Sequence, residues 1–446
     1  MSIDQSDERT AEPAEPAAQP RFAWAAVRPL LVRLHFYAGV FVGPFLLVAA
    51  VTGLAYTWTP QVERAVYDHE LHVPAAPGVV PLAQQAAVAK AAVPDGTVTG
   101  IRPGPDPTDS TQVIFTRPGL EPSYHHTVFV DPHTGEIRGQ LETYGSGQAM
   151  PLRGWIDGLH ANLQLGDFGR WYSELAASWL WVVVLAGIGL WIGSRKRKKS
   201  ESARGRLLSW HRMTGLVIAA GLLVLSATGL TWSEHAGDNI SELRAQLDWT
   251  TPSVSTALPT AAPPGADVGI DAVRAATLQA GLADPVEIRP PSAPGKAYVV
   301  AQVGREWPTK ADSMAVDPAT GRITDTLRFA DYSVAAKLSR WGIDAHMGLL
   351  FGVANQIVLT GLAVGLIAVI FWGYRMWWLR RPTRSEARVG RPPKRGTWRR
   401  IPGRVVAPFL VVTAVVGYYL PVFGLSLLAF LVVDLIVGAR RAEVKA

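Results

Sequence analysis

Two apolar stretches of the chain read like copies of each other. The first runs LHFYAGVFVGPFLLVAAVTGLAYTW from Leu34, and the second runs WHRMTGLVIAAGLLVLSATGLTW from Trp210. Counted from His35 and His211, Gly39 and Gly215 fall at +4. Thr52-Gly53-Leu54 and Thr228-Gly229-Leu230 fall at +17 to +19. Each stretch is long enough for a helix crossing a bilayer, which takes about 20 residues. Further apolar stretches occupy 175–194 and 355–379, and a longer one, 404–438, is interrupted at Leu420-Pro421. A proline there predicts two short spans in a hairpin. The pattern gives spans at 25–58, 175–194, 211–232 and 355–379 and a hairpin at 404–438, six in all.

Between the spans the pattern changes to alternating apolar and polar positions. Val130-Asp131-Pro132-His133-Thr134-Gly135-Glu136-Ile137 matches Val316-Asp317-Pro318-Ala319-Thr320-Gly321-Arg322-Ile323. Proline fixes one φ and glycine supplies a positive one, so each run predicts a turn between two strands. Helical patterns at Leu82–Ala92 and Ile270–Ala280 precede them. The segments 59–174 and 233–354 therefore read as two small α+β domains. His160 lies 29 residues after Asp131, and His346 lies 29 after Asp317. Each has a tryptophan five residues earlier (Trp155, Trp341) and a glycine six later (Gly166, Gly352). The order of span, small domain, histidine segment and span thus occurs twice, which predicts a pseudo-two-fold bundle with its axis along the membrane normal.

Lysine and arginine set the orientation. The loop 195–210 opens with Arg195-Lys196-Arg197-Lys198-Lys199, the loop 380–403 is arginine-rich, and the tail 439–446 is basic. Six spans put all three on the cytoplasmic side, with both termini, and put the small domains outside. Residues 1–24 read as a disordered cytoplasmic tail without the apolar core of a signal peptide. The net charge of +7 is accounted for by these flanks, so nucleic acid is not an expected partner. Of the 446 residues, 48% are apolar and 18% charged, which fits spans alternating with soluble segments. The absence of cysteine excludes disulfides, iron–sulfur clusters and covalent haem attachment.

Four of the ten histidines occupy repeated positions beside spans: His35 and His211 on the inner side, His160 and His346 on the outer. A two-fold axis brings each pair face to face, as axial ligation of a haem by two imidazoles requires. Small residues fall on the same face as the first two histidines, Gly39, Gly43, Ala50 and Gly53 in one span and Gly215, Ala219, Ser226 and Gly229 in the other. Such a stripe leaves room for a flat ring, and it equally suits close packing of bare helices. Zinc is the competing use of histidine, but no carboxylate accompanies His35 or His211, and Asp157 and Asp344 lie at unequal offsets from the outer pair. His125, His126 and His133 read as solvated strand and loop residues. Arg153, Arg170 and Arg340 near the outer histidines suit haem propionates or interfacial anchoring alike. Trp155 and Trp341 suit packing on an outer haem or an aromatic belt.

The histidine-headed spans, the T-G-L signatures, the V-D-P-x-T-G-x-I domains and the W-x4-H segments together resemble the PepSY-associated transmembrane proteins over about residues 25–438. The resemblance implies a multi-pass protein of the bacterial inner membrane with two b-type haems. It implies electron transfer to an outer acceptor, with reduction of a ferric siderophore as the activity. Haem ligation would map onto His35 with His211 and onto His160 with His346, with Gly39, Gly215, Trp155, Trp341, Arg153 and Arg340 around the cofactors. No flavin or nicotinamide domain follows the last span, so the expected donor is a quinol or a separate cytoplasmic reductase. The rival reading is a membrane scaffold whose two PepSY domains bind or inhibit a peptidase, with incidental histidines.

Overall fold

A computed structural model describes residues 24–193, 202–258, 266–380 and 403–443. The expected N-terminal tail, residues 195–201 of the first basic loop, nearly all of the second, and residues 444–446 lie outside these.

The chain opens with α1 (Trp24–Phe41) and α2 (Gly43–Thr57), followed by the short α3 (Thr59–Val66) and α4 (Asp68–Leu71). The expected straight first span is broken, because α1 and α2 meet at 57°. Pro44 is the cause. It has no N–H to give the carbonyl four residues earlier, and its ring crowds that carbonyl. The orphaned Val40 oxygen accepts instead from the Tyr374 hydroxyl at 2.7 Å.

A helix–sheet unit follows: α5 (Leu82–Ala92), then strands β1 (Thr97–Arg102), β2 (Thr111–Thr116), β3 (Tyr124–Val130) and β4 (Ile137–Tyr144). Next come α6 (Pro151–Asn162), the long α7 (Gly166–Ile192) and α8 (Ala203–Leu230). The second half has the same order: α9 (His235–Gln246), α10 (Ile270–Gln279), β5 (Val286–Arg289), β6 (Tyr298–Gln302), β7 (Ser313–Val316), β8 (Ile323–Leu327), α11 (Val334–His346) and α12 (Gly352–Trp378). A hairpin of α13 (Gly403–Tyr419) and α14 (Pro421–Glu443) closes the described chain, broken at Pro421.

Among the described residues four helices are long and apolar enough to cross a membrane, α7, α8, α12 and the Pro421–Gly438 part of α14. The bent α1–α2 pair makes five, and α13 is shorter. Two boundaries differ from the sequence reading. Helix α7 begins at Gly166, ahead of the apolar run at 175. Helix α8 begins at Ala203, where Ser202 Oγ accepts from Gly205 N at 3.1 Å, so His211 lies two turns inside the helix and does not open it. His35 likewise lies well inside α1. Helices tolerate the flanking arginines because long basic side chains reach back to the interface.

The two small sheets expected from the sequence form one. All eight strands pair antiparallel in the order β4-β3-β2-β1-β5-β6-β7-β8. The join is narrow, with Ile101 opposite Ile288. A buried Arg102–Glu287 ion pair at 2.6 Å reinforces it. The Asp271 carboxylate of α10 also accepts from Leu82 N and Ala83 N at the start of α5, so one half caps the helix of the other. A single core lies between the sheet and these two helices, formed by Val113, Phe115 and Val128 from one half and Ile288, Val300 and Met314 from the other. The two Asp-Pro turns take the expected form, with Gly135 at φ 76° and Gly321 at φ 70°.

His133, in the first of these turns, contacts a carbonyl oxygen through each ring nitrogen, Gly78 O at 2.6 Å and Pro107 O at 2.8 Å. Both nitrogens can donate only in the imidazolium form. The bonds to Gly78 and Pro107 accordingly raise its pKa above the ordinary value of about 6.5. A raised folded-state pKa contributes stability that is complete below the unfolded value and fades as pH rises through the folded one. His133→Ala should therefore flatten the loss of thermal stability on going from mildly acid to mildly alkaline pH. An unchanged pH profile of Tm would refute the assignment.

Candidate functional site

The four repeated histidines meet as two pairs, one at each end of the helical bundle. At the end away from the sheet, His35 of α1 and His211 of α8 face each other with ring centroids 6.0 Å apart and planes at 81°. Each ring is held the same way. His35 Nδ1 lies 2.9 Å from Val183 O in α7, and His211 Nδ1 lies 2.9 Å from Val369 O in α12. A carbonyl accepts only, so Nδ1 carries the proton and Nε2 keeps its lone pair. Glycines let the rings lie against these helices: a Cβ on Gly187 would stand 3.2 Å from His35 Cε1, and one on Gly373 would stand 3.8 Å from His211 Cε1. Two imidazoles on opposite sides of one metal, each bonded at about 2 Å, have ring centres about 6 Å apart. The pair thus already stands at ligating separation.

At the sheet end, His160 of α6 and His346 of α11 use a hydroxyl in place of the carbonyl. Thr52 Oγ1 donates to Val48 O at 2.8 Å and accepts from His160 Nδ1 at 2.9 Å. Thr228 Oγ1 donates to Val224 O at 2.8 Å and accepts from His346 Nδ1 at 2.6 Å. The hydroxyl proton is committed to the helix, so the imidazole must be the donor and Nε2 is again the bare nitrogen. This explains the T-G-L signature. Threonine orients the ring, and the next glycine makes room for it, since a Cβ on Gly53 would lie 3.2 Å from His160 Cε1. Burial pushes both imidazoles down, His346 to about 3 with the neighbouring His160 adding to the effect, so both stay neutral at ordinary pH.

His160 and His346 line a cavity of about 620 Å³ between α2, α7, α8 and α12. Its deep part is apolar, with Leu46, Leu180, Leu222 and Leu366. Ala50, Gly53, Ser226 and Gly229 of the small-residue stripes also line it. The rest of the stripes serve other ends. Gly43 packs under Tyr374, and Gly39 and Gly215 have open space beside them, with nothing within 4 Å of a Cβ. The rim carries four arginines, Arg153, Arg170, Arg305 and Arg340, and one carboxylate, Asp157. Arg153 bonds the Tyr56 hydroxyl and Glu63, while Arg305 and Arg340 share the fully buried Asp344 carboxylate. An apolar slot with neutral imidazoles and a guanidinium rim fits a flat, apolar ligand carrying acidic groups along one edge.

Both tryptophans named from the sequence lie away from this cavity. Trp155 is exposed, and Trp341 packs on Trp307 and Phe329 and donates to Thr309. Tyr144, Tyr56 and Trp232 are the aromatics on the cavity wall, Trp232 with its ring 5.3 Å from His346, and the last two form a pair in the repeat. They stand at the same offset from His35 and His211, a signal present in the repeat but overshadowed by the W-x4-H spacing. Thr52 and Thr228 were visible as a motif without a role. Val183 and Val369 act through backbone and left no trace beyond their equal distance from His160 and His346. Arg305 lies in a loop that no pattern marked. Among the described residues no three histidine, aspartate or glutamate side chains are grouped to hold a metal ion, and His125, His126 and His133 form no such set.

Apolar spanning helices carrying a paired helix–sheet unit define a multi-pass membrane protein. The chain matches the PepSY-associated TM region over residues 32–380 and belongs to that family. A comparison with curated proteins finds no match.

The turn between α6 and α7 sets the height of His160 and tolerates no side chain at Gly169, where a Cβ would fall 1.7 Å from Asn162 O. Gly169→Ala should destabilise the protein by about 1–3 kcal/mol or more. Unfolding in detergent checks this, and a wild-type Tm would contradict the packing described.

Proposed function

We propose that this chain is a transmembrane electron-transfer protein of the bacterial inner membrane that holds two b-type haems and reduces a ferric chelate, a ferric siderophore, on the outer side. The reading rests on one observation: four imidazoles, two facing each other and two lining one cavity, each with Nδ1 tied to an oxygen and Nε2 left with a free lone pair. Six spans, with α1–α2 as one and α13–α14 as two, put both termini and the basic flanks on the cytoplasmic side. The sheet then lies outside, and the two halves derive from an internal duplication.

His35 with His211 would hold the inner haem, beside the open space at Gly39 and Gly215. His160 with His346 would hold the outer one, its propionates meeting Arg153, Arg170, Arg305 and Arg340. Haem bound in this way supplies reversible one-electron chemistry between the two faces. The protein's part is positional. It keeps the imidazoles neutral and aimed, keeps water from the deep cavity with leucines, and offers fixed positive charge at the rim. Electrons enter from a quinol or a separate cytoplasmic reductase. One electron per iron converts Fe(III) to Fe(II), which a hard oxygen cage holds less firmly.

Purified protein should show a b-type Soret and α band that shifts on reduction, with two haems per chain by pyridine haemochrome. His35→Ala and His346→Ala should each remove one. A featureless spectrum would end the redox reading and leave the scaffold. Thr52→Val should weaken haem retention at the outer site about 10–100-fold while sparing the inner one. Equal loss at both sites would count against the orienting role of Thr52.

A further inference from the structure

A second cleft, of about 220 Å³, opens beneath the second half of the sheet. Arg289, Arg305 and Arg340 line it with Tyr332, Ser146 and Ser253, and none of the described residues in its wall is a carboxylate. Ser146, Arg305 and Arg340 also line the histidine cavity, so the two spaces share a wall. The charge of this wall is incompletely matched. Glu287 serves both Arg102 and Arg289, at 2.6 and 2.5 Å. Asp344 serves both Arg305 and Arg340, at 3.1 and 2.9 Å. Arg102 stands outside the wall, so the wall's three guanidiniums are held by two carboxylates, one of them shared with Arg102, and both carboxylates are more deeply buried than the arginines they hold. Counted from the histidines, the first half has Gly154 where the second has Arg340. A Cβ at Gly154 would already stand 3.2 Å from Tyr144 Cβ, so no long cation fits there.

We propose that this cleft is a binding site for the carboxylate arm of an anionic ligand, and that its occupant is a carboxylate-type ferric chelate brought against the rim of the histidine cavity. Guanidinium forks match carboxylate oxygens in pairs, and Tyr332 and the serines add neutral donors. The volume admits one arm of a chelate, so the metal centre stays outside, on the far side of two guanidiniums from the cavity. Arg289 lines this cleft and not the histidine cavity, so the net positive charge of the Arg102–Glu287–Arg289 group remains for an anion when Arg305 and Arg340 meet propionates, and it draws anionic chelates over cationic ones with an affinity that falls as salt rises. That the occupant is a ferric chelate rests on the function proposed above; that the cleft binds carboxylates does not.

The test uses gallium(III) citrate, which carries the same charge as the iron chelate and cannot be reduced, titrated calorimetrically into the full-length protein in detergent. Saturable binding to wild type is expected, weakened about tenfold or more in Arg289→Gln and unchanged in Arg117→Gln, a surface arginine outside the cleft. No binding to wild type, or equal binding to Arg289→Gln, overturns the proposal. Reoxidation of the reduced protein by ferric citrate, followed in the haem bands, separates the two readings. Arginine-dependent gallium citrate binding without haem bands supports the cleft and ends the redox role. Haem bands with reoxidation indifferent to Arg289→Gln support the redox role and end the cleft.

Discussion

The site depends on one kind of contact, a hydrogen bond from a histidine Nδ1 to an oxygen supplied by a neighbouring helix. An imidazole in an apolar bundle has two ways to satisfy its polar atoms, and an unmet N–H there is costly. Val183 O, Val369 O, Thr52 Oγ1 and Thr228 Oγ1 settle the choice at every ring. The same contact crosses between helices, α1 to α7, α8 to α12, α6 to α2 and α11 to α8. The helices are thereby indexed against one another in height and rotation. A bundle held by apolar packing alone lacks such discrete marks, since one leucine contact substitutes readily for the next.

The two ends solve the same problem differently. At the end away from the sheet, main-chain carbonyls do the work and glycines opposite them bring the rings close. At the sheet end, threonine hydroxyls extend the reach of the helix, because α6 and α11 approach the bundle from outside it. His35 and His211 stand with ring centroids 6.0 Å apart, whereas His160 and His346 line a leucine-walled cavity of about 620 Å³ with arginines at its rim.

The sequence revealed what is periodic. Spans, paired histidines, Asp-Pro turns and the helices before the strands all recur at fixed intervals, so a single chain displays them twice. It concealed what is aperiodic or main-chain. The bend at Pro44 follows from a residue the second half lacks, with Ala220 at the same distance from its histidine. The merger of two four-stranded sheets depends on one opposed pair, Ile101 and Ile288, which looks like any other strand residue. Trp155 and Trp341 misled because their spacing repeats faithfully while their side chains turn outward, away from the cavity.

The strand seam at Ile101 and Ile288 has a consequence for how such a molecule can change. Two identical subunits meeting there would carry every substitution twice, mirrored about the axis. Joining both halves in one polypeptide removes that obligation. Glu287 stands one residue before Ile288 where Gly100 precedes Ile101, and the carboxylate takes the space the glycine leaves, within 3.3 Å of a Cβ there. Lopsided chemistry is thus open to a covalent pair and closed to a symmetric dimer, which gives the sheet a preferred side without disturbing the matched histidines beyond it.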